Sequence, residues 1–574
     1  MVKYLVYIYV QGLFCFLRNS FQEKFCQSWW KNLNNYMSYL LCHELVRTTA
    51  QTVLVAVAAL MMVHYLVEPW FRQKSLRTAP GPFPIWPVLG SLPSIGKLPH
   101  RTFYHLSKKY GDVMELKLGS TRAVVISSPN FAEEILKTHD EVCASRPDAV
   151  FAHVVVYGRK DVAFAPYGNH WRHMRKLCVL ELLSPKRLGS TKNLRSEEVS
   201  FMVKDVYELC KEGKAVNMRS RLYETSMNVV TRMVFKRRYF DNTKQSTAEA
   251  EEFKELVMKH LNLAGVFNLS DYIPYLKPFD LQGYLPIMKE AASRMDRFLS
   301  KIVEEHVKDS KSTSTAADHR DEEEEEEEEV KDFVDVMLSL PAAETGSGRL
   351  EINTIKAVID DMICAGTDTS ATTVEWALVE LLRHPEAMKK AQAELDDVIG
   401  SERVVDEGDI HELKYLQDIV KETFRLHPPL PLLLAHESIG DCTVGGYFIP
   451  AKTRIFVNAW AVHRHPSAYQ KPLQFNPSRF VGSQIDVQGL DFQLLPFGSG
   501  RRMCPGLRLG LIMVQLELAR LLHSFTWKLP AGQDPEDIDM DEILGVTAPK
   551  AIPLHVVATA RLPLHLYTAP GTTH

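Results

Sequence analysis

The sequence predicts a mainly α-helical protein with a minor β component, preceded by a single N-terminal transmembrane helix. Three observations predict it. Apolar residues recur at helical period over several long segments beyond residue 190. Only one stretch, 113–127, alternates like a pair of short strands, with Gly119 at its turn. Residues 48–71 form the most apolar run, closed by basic residues and a proline-rich breaker. The 574 residues are 45% hydrophobic and 24% charged, an ordinary globular composition that excludes a disordered, collagen-like or disulfide-stapled chain. Lysine plus arginine (67) against aspartate plus glutamate (71) leave a net charge of −4, which removes nucleic acid from the expected partners. Nine cysteines, widely spread and without a CxxC pair, support neither a disulfide framework nor a zinc knuckle.

Taken in order, residues 1–47 stay unassigned. An apolar run at 4–17 follows Lys3 at the length of a signal-peptide core, but Arg18-Asn-Ser20 offers no cleavage site. A second membrane-associated segment and an upstream extension of a chain starting at Met37 both remain open. Residues 48–71 are long enough to span a bilayer, which needs roughly 20 apolar residues. Arg72, Lys74 and Arg77 then mark the cytosolic side. The stretch 79–90, Ala-Pro-Gly-Pro-Phe-Pro-Ile-Trp-Pro-Val-Leu-Gly, is a stiff spacer, so 72–90 reads as a hinge.

A single large domain is expected over 91–565, with a short tail at 566–574. Helices are predicted at 103–110, 197–211, 251–263, 287–307, 354–382, 386–399, 413–426 and 507–524. Within 308–331, Asp321 precedes eight glutamates; like charges at that density repel, so the tract reads as a solvated, disordered loop rather than an acidic binding segment.

The chemistry concentrates in Phe497-Gly-Ser-Gly-Arg-Arg-Met-Cys504-Pro-Gly506, directly before the helix at 507. Gly498, Gly500 and Gly506 permit unusual backbone angles and the close approach of a flat ligand. Cys504 sits where free N–H groups and the positive end of a helix favour a thiolate. Arg502 offers a fixed charge for a carboxylate. A phosphate cradle is the competing use of glycines before a helix, but the Walker lysine and Ser/Thr are absent.

The pattern Phe-x-x-Gly-x-Arg-x-Cys-x-Gly resembles the cytochrome P450 superfamily, and further segments follow in that family's order. Glu422-Thr-Phe-Arg425 and Phe475-Asn-Pro-Ser-Arg479-Phe480 resemble its structural triad, implying that Glu422, Arg425 and Arg479 interlock. Ser478 stands where a glutamate is usual. Ala365-Gly-Thr-Asp368-Thr369-Ser370 resembles its oxygen-activation segment. The resemblance implies a locally distorted helix, with Thr369 and Asp368 as catalytic residues that hydrogen-bond bound oxygen and relay protons. Trp171-Arg-His-Met-Arg175 and His436 resemble positions that contact haem propionates. Cys504 is thereby expected as the axial ligand of the iron in haem b, cradled by Arg502, Trp171, Arg175, His436, Phe497, Gly498 and Gly506.

The resemblance further implies a plant microsomal monooxygenase on the cytosolic face of the endoplasmic reticulum. Its expected partners are NADPH-cytochrome P450 reductase, cytochrome b5, membrane lipid, O2 and a hydrophobic substrate. Arg172, Lys176, Arg501 and Arg502 are candidates for the reductase-facing surface. The run Pro535-Glu-Asp-Ile-Asp, Pro549-Lys-Ala-Ile-Pro and Arg561-Leu-Pro-Leu-His-Leu-Tyr567 resemble in-chain fatty-acid hydroxylases, while the haem loop and 271–283 resemble flavonoid and terpenoid oxidases. Val154, Val155, Leu263, Leu433 and Val546 are expected to line the substrate pocket. Two other readings stand beside the monooxygenase: a reductase-independent isomerase or dehydratase, against which Thr369 counts, and a non-catalytic haem carrier or sensor.

Overall fold

The computed structural model describes residues 77–83, 86, 88–241, 248–317, 331–340, 350–543 and 545–568, besides Thr52 and Ala56. The expected extension at 1–47 and nearly all of the expected anchor at 48–71 lie outside the described residues. Among the described residues no helix is long and apolar enough to cross a membrane.

The principal elements, in chain order, are α1 (Pro99–Tyr110), β1 (Val113–Leu118), β2 (Thr121–Ile126), α2 (Asn169–Leu177), α3 (Lys192–Lys211), β3 (Val216–Asn217), α4 (Met218–Phe235), α5 (Ala248–Gly265) and α6 (Tyr284–Ala317). There follow α7 (Ile352–Arg383), α8 (Pro385–Val398), α9 (Lys414–Leu426), β4 (His436–Glu437), β5 (Cys442–Val444), β6 (Tyr447–Ile449), β7 (Arg454–Val457), α10 (Leu507–Ser524), β8 (Phe525–Lys528) and β9 (His555–Ala560). Helices dominate, as the hydrophobic periodicity required. The strand pair closes at Gly119, whose φ of +61° suits a residue without a side chain.

Helix α7 is the axis of the molecule. Its residues 371–382 are buried on every face, and Trp376, Val374 and Leu378 join the main core with Val229 and Val234 of α4 and Leu516 and Leu518 of α10. Beside this helical body, β1 and β2 pair antiparallel, β2 runs parallel to β7, and β4 closes the sheet antiparallel to β7. A smaller sheet orders β3, β9 and β8.

Two segments depart from expectation. Helix α6 continues to Ala317, ten residues into the tract read as a solvated loop. The stretch 308–317 carries Asp309 as its only acid, and the repelling charge starts at Asp321; residues 318–330 lie outside the described residues. At the other end, 566–568 is not a loose tail: Tyr567 is buried, donates to Ser524 O at 2.5 Å and accepts the Arg561 and Leu562 N–H groups.

The hinge is sewn onto the domain over its second half. Arg77 O accepts from Phe448 N (2.8 Å), Pro80 O accepts from Glu115 N (2.9 Å), and Gly90 bridges to Leu118. Gly81 packs so closely that a Cβ would lie 1.8 Å from Glu115 O.

Candidate active site

A cavity of about 260 Å³ opens between α7, α4, the start of α10 and the loop before β4. Most of the residues singled out in the sequence meet on its wall: Trp171, Arg175, Thr369, His436, Phe497, Gly498, Arg502, Cys504 and Gly506.

Cys504 is held by its own loop. Its N–H donates to Phe497 O at 2.9 Å, and the chain makes one tight turn at Gly500–Arg502 before α10 starts at Leu507. Gly500 sits at φ +68°, and a Cβ there would meet Leu136 O at 2.1 Å, so the turn admits only glycine. Burial pushes the Cys504 thiol up, while the Gly506 N–H and the Arg175 guanidinium pull it down. A metal cation at Sγ would complete the shift to thiolate.

Guanidiniums gather around this thiol without enough anions to balance them. Arg502 donates to Ala144 O (2.6 Å), Val162 O (3.2 Å) and Ala165 O (2.6 Å) and lies 4.2 Å over the Trp171 ring. Burial, with Arg146 adding to it and Asp161 opposing, lowers Arg502 to about 8. Arg146 is also on the wall, bonded to the Ala163, Leu434 and Ala435 carbonyls, and burial lowers it to about 10. His436 Nδ1 donates to Cys143 O (2.8 Å), and burial, then Arg146, drive it to about 3, so the ring is neutral. Arg175 has no hydrogen bond or ion pair among the described residues; burial lowers it and Cys504 opposes.

This donor set fits haem b. A soft sulfur stands on one wall, glycines beside it leave room for a flat macrocycle, and under-compensated guanidiniums await carboxylates. Arg175 and Arg502 would meet the propionates, with Arg146 adding positive potential. Trp171 departs from its expected role: its Nε1–H donates to Val162 O (3.2 Å), so the ring supports Arg502 instead of reaching a propionate.

On the facing wall, the Thr369 hydroxyl donates to Ala365 O at 2.7 Å, one turn back in its own helix. Its lone pairs remain for a ligand. The expected helix distortion is absent: α7 runs as continuous α-helix from Ile352 to Arg383. The groove comes instead from small residues at Ala365 and Gly366, where a Cβ at Gly366 would press on Val230 at 2.8 Å. Asp368 does not join the cavity. Buried, it accepts from Thr547 Oγ1 at 2.5 Å, and burial raises it while Thr547 and Arg219 oppose.

The predicted triad closes. Arg425 donates twice to Glu422 (2.7 and 2.8 Å), Arg479 donates to Glu422 Oε1 (3.0 Å), and Glu422 and Arg425 are fully buried. Arg425 spends its remaining donors on His463, Pro472 and Gln474 carbonyls. Ser478 leaves this network intact.

Of the expected pocket residues, Leu433 lines the cavity, whereas Val155 and Leu263 pack with Phe151 and Met288 in a separate core. The sequence reading missed Arg146 and the α4 face of Ser226, Val229 and Val230, and it placed 358–366 at the pocket without singling out Asp361. Asp361 carried a usable signal, lying just over two turns before Thr369 on the same helix. Arg146 carried none beyond its place before Pro147. Arg502, expected on a docking surface, points inward; Arg172 and Lys176 are exposed, and Arg501 is tied to Asp140 at 3.0 Å.

Fold and site together define a haem-thiolate oxidoreductase. The cytochrome P450 family model matches residues 80–555. Cytochrome P450 CYP736A12 of Panax ginseng is 42% identical over 503 residues, covering 87% of this chain and 96% of the relative. Flavonoid 3',5'-hydroxylase CYP75B138 of Crocosmia x crocosmiiflora is 40% identical over 511 residues, covering 87% and 94%. A zebra fish cytochrome P450 solved with progesterone superposes with a TM-score of 0.65 at 26% identity, covering 80% of this chain and 99% of that one. The chain belongs to the cytochrome P450 family, among its plant members, and is a monooxygenase that binds haem b.

Proposed function

We propose that the protein hydroxylates a hydrophobic small molecule, with electrons from NADPH-cytochrome P450 reductase and one atom of O2 retained in the product. One observation carries this: the Cys504 thiol and the Thr369 hydroxyl face a single cavity, otherwise walled largely by apolar side chains such as Val229, Val230, Met362 and Leu433. Haem, when bound, supplies oxygen activation. The chain's part is positional. Cys504 ligates, Arg175 and Arg502 orient, and Val230 and Leu433 exclude bulk water. Thr369, by donating to Ala365 O, keeps an acceptor turned into the cavity, where it can hold the O–H group of a water or ligand in place.

The exposed Arg172, Lys176 and Arg501 are the proposed reductase-docking cations, with Arg508 beside them in sequence and likewise exposed. Residues 48–71 are the proposed anchor in the endoplasmic reticulum, with cytochrome b5 as a second electron donor. Three flavonoid 3'-monooxygenases among the relatives support an aromatic substrate.

The test is a reduced carbon monoxide difference spectrum, followed by NADPH oxidation with the reductase. A thiolate-type Soret band that vanishes in Cys504→Ala is expected, together with peroxide release in Thr369→Ala rising several-fold per NADPH. A Cys504→Ala protein that keeps the band, or a Thr369→Ala protein with unchanged coupling, would overturn this assignment.

A further inference from the structure

Asp361 is the one carboxyl among the described residues that line the cavity. Its Oδ2 accepts from Val162 N (2.7 Å) and Ala163 N (3.2 Å), which fixes the group, while Oδ1 makes no hydrogen bond among the described residues. Val162, Ala163 and Met362 surround it on the same wall. Two competing wall hydroxyls are spent, Ser226 on Glu517 and Thr373 on Thr369 O.

The charges nearby select the partner. Burial, then Asp161 and next Asp360, press on Asp361 and raise it well above the ordinary carboxylate range. Asp161 Oδ1 is itself buried, with no hydrogen-bond partner among the described residues. The wall cations Arg146 and Arg502 are committed to backbone carbonyls. A substrate carboxylate brought here would meet acids, and the unpaired wall cation, Arg175, is already assigned to a haem propionate, whereas a neutral oxygen would meet a fixed hydrogen-bonding group.

The helix also sets a distance. Thr369 follows Asp361 by eight residues, which at the α-helical rise is about 12 Å along α7. We infer that Asp361 is a specificity-determining residue: it hydrogen-bonds a neutral hydroxyl or carbonyl oxygen at the end of an elongated substrate, about 12 Å from the carbon oxidised beside Thr369. The substrate class is thereby an oxygenated, polyphenol-like molecule and not a free fatty acid. This rests on the monooxygenase reading of the same cavity.

The test uses the haem-loaded full chain and the spin-state shift on ligand binding. The probes are a flavanone with hydroxyls at both ends, its analogue lacking the hydroxyl remote from the oxidised ring, and dodecanoate. The wild-type protein is expected to bind the hydroxylated flavanone about tenfold more tightly than its analogue, the worth of one buried hydrogen bond. Asp361→Leu abolishes that preference. Asp361→Asn, which can still accept from residues 162 and 163 and still offers a polar group, keeps most of it. Dodecanoate binds more weakly than the flavanone. A wild-type protein with no preference, a Leu variant that retains it, or dodecanoate as the tighter ligand overturns the inference. Should the Leu variant fail to take up haem, the wild-type comparison of the three ligands decides by itself. The carbon monoxide spectrum separates the two levels: an intact thiolate band with no hydroxyl preference sinks this inference alone, and a missing band sinks the monooxygenase reading.

Discussion

Thr547 donates a hydrogen bond to Asp368 at 2.5 Å, so the carboxyl adjoining Thr369 is turned toward the C-terminal segment and not toward the cavity that Thr369 lines. The bond joins residues 179 positions apart and fastens 545–550 to the middle of α7. Thr547→Val leaves a buried carboxyl one donor short, at an expected cost of about 1–3 kcal/mol. Burial holds Asp368 above the ordinary carboxylate range, so the folded state keeps a proton that the unfolded state has released. Stability then falls as pH rises through that range, and the valine variant, without the donor that opposes the shift, carries the fall to higher pH. Urea unfolding between pH 4 and 8 checks both; a variant as stable as wild type would refute them.

Arg425→Leu strands the Glu422 carboxylate in a fully buried site with only Arg479 and the Asn476 N–H to meet it. Breaking a buried pair from one side costs about 3–5 kcal/mol. The expected outcome is a sharp drop in haem-loaded yield, read by absorbance per milligram of protein. Exposed pairs such as Lys389–Glu386 serve as controls whose loss changes little.

Gly500→Ala puts a methyl group against Leu136 O at a backbone angle that side chains resist. A loss of about 1–3 kcal/mol is expected, together with a broadened or shifted Soret band, because the displaced turn leads directly to Cys504. A normal spectrum at unchanged stability would show that the turn has slack.

Glu517 lies in α10 against Ser226 of α4, and burial raises it to about 8. A raised carboxyl stabilises the fold when protonated, so that contribution is complete in acid and declines as pH climbs from the ordinary range to about 8. Glu517→Gln is expected to gain on the order of 2 kcal/mol at pH 8 relative to wild type, and nothing at pH 4. Parallel pH profiles for the two proteins would exclude a buried, protonatable Glu517.

What the sequence exposed and what it hid follow one physical rule. Helix α10 was legible residue for residue, because its apolar stretch starts after Pro505-Gly506 and stops where β8 begins. Helix α4 was overlooked although it supplies Val229 and Val230 to the cavity. It is buried on nearly all sides, from Leu222 to Phe235, and a helix without a wet face has no period to read. Cys504, Thr369 and the Glu422 triad were legible through spacing that few other uses demand. Arg146 and the Trp171–Val162 bond were not, since each depends on which backbone carbonyl comes within reach after folding.

The stitched segment from Arg77 to Gly90 has a mechanical consequence. A swivel would let the domain wander over its support, but three seams, at Phe448, Glu115 and Leu118, fix the strap to the antiparallel β5–β6 pair and to β1. Tension applied ahead of Arg77 therefore enters the molecule at the β5–β6 hairpin and β1 rather than at a loose joint. Pulling on that end should peel the strap from the sheet before it strains the helical body, leaving the cavity shape and the Cys504 loop unloaded until the seams have parted.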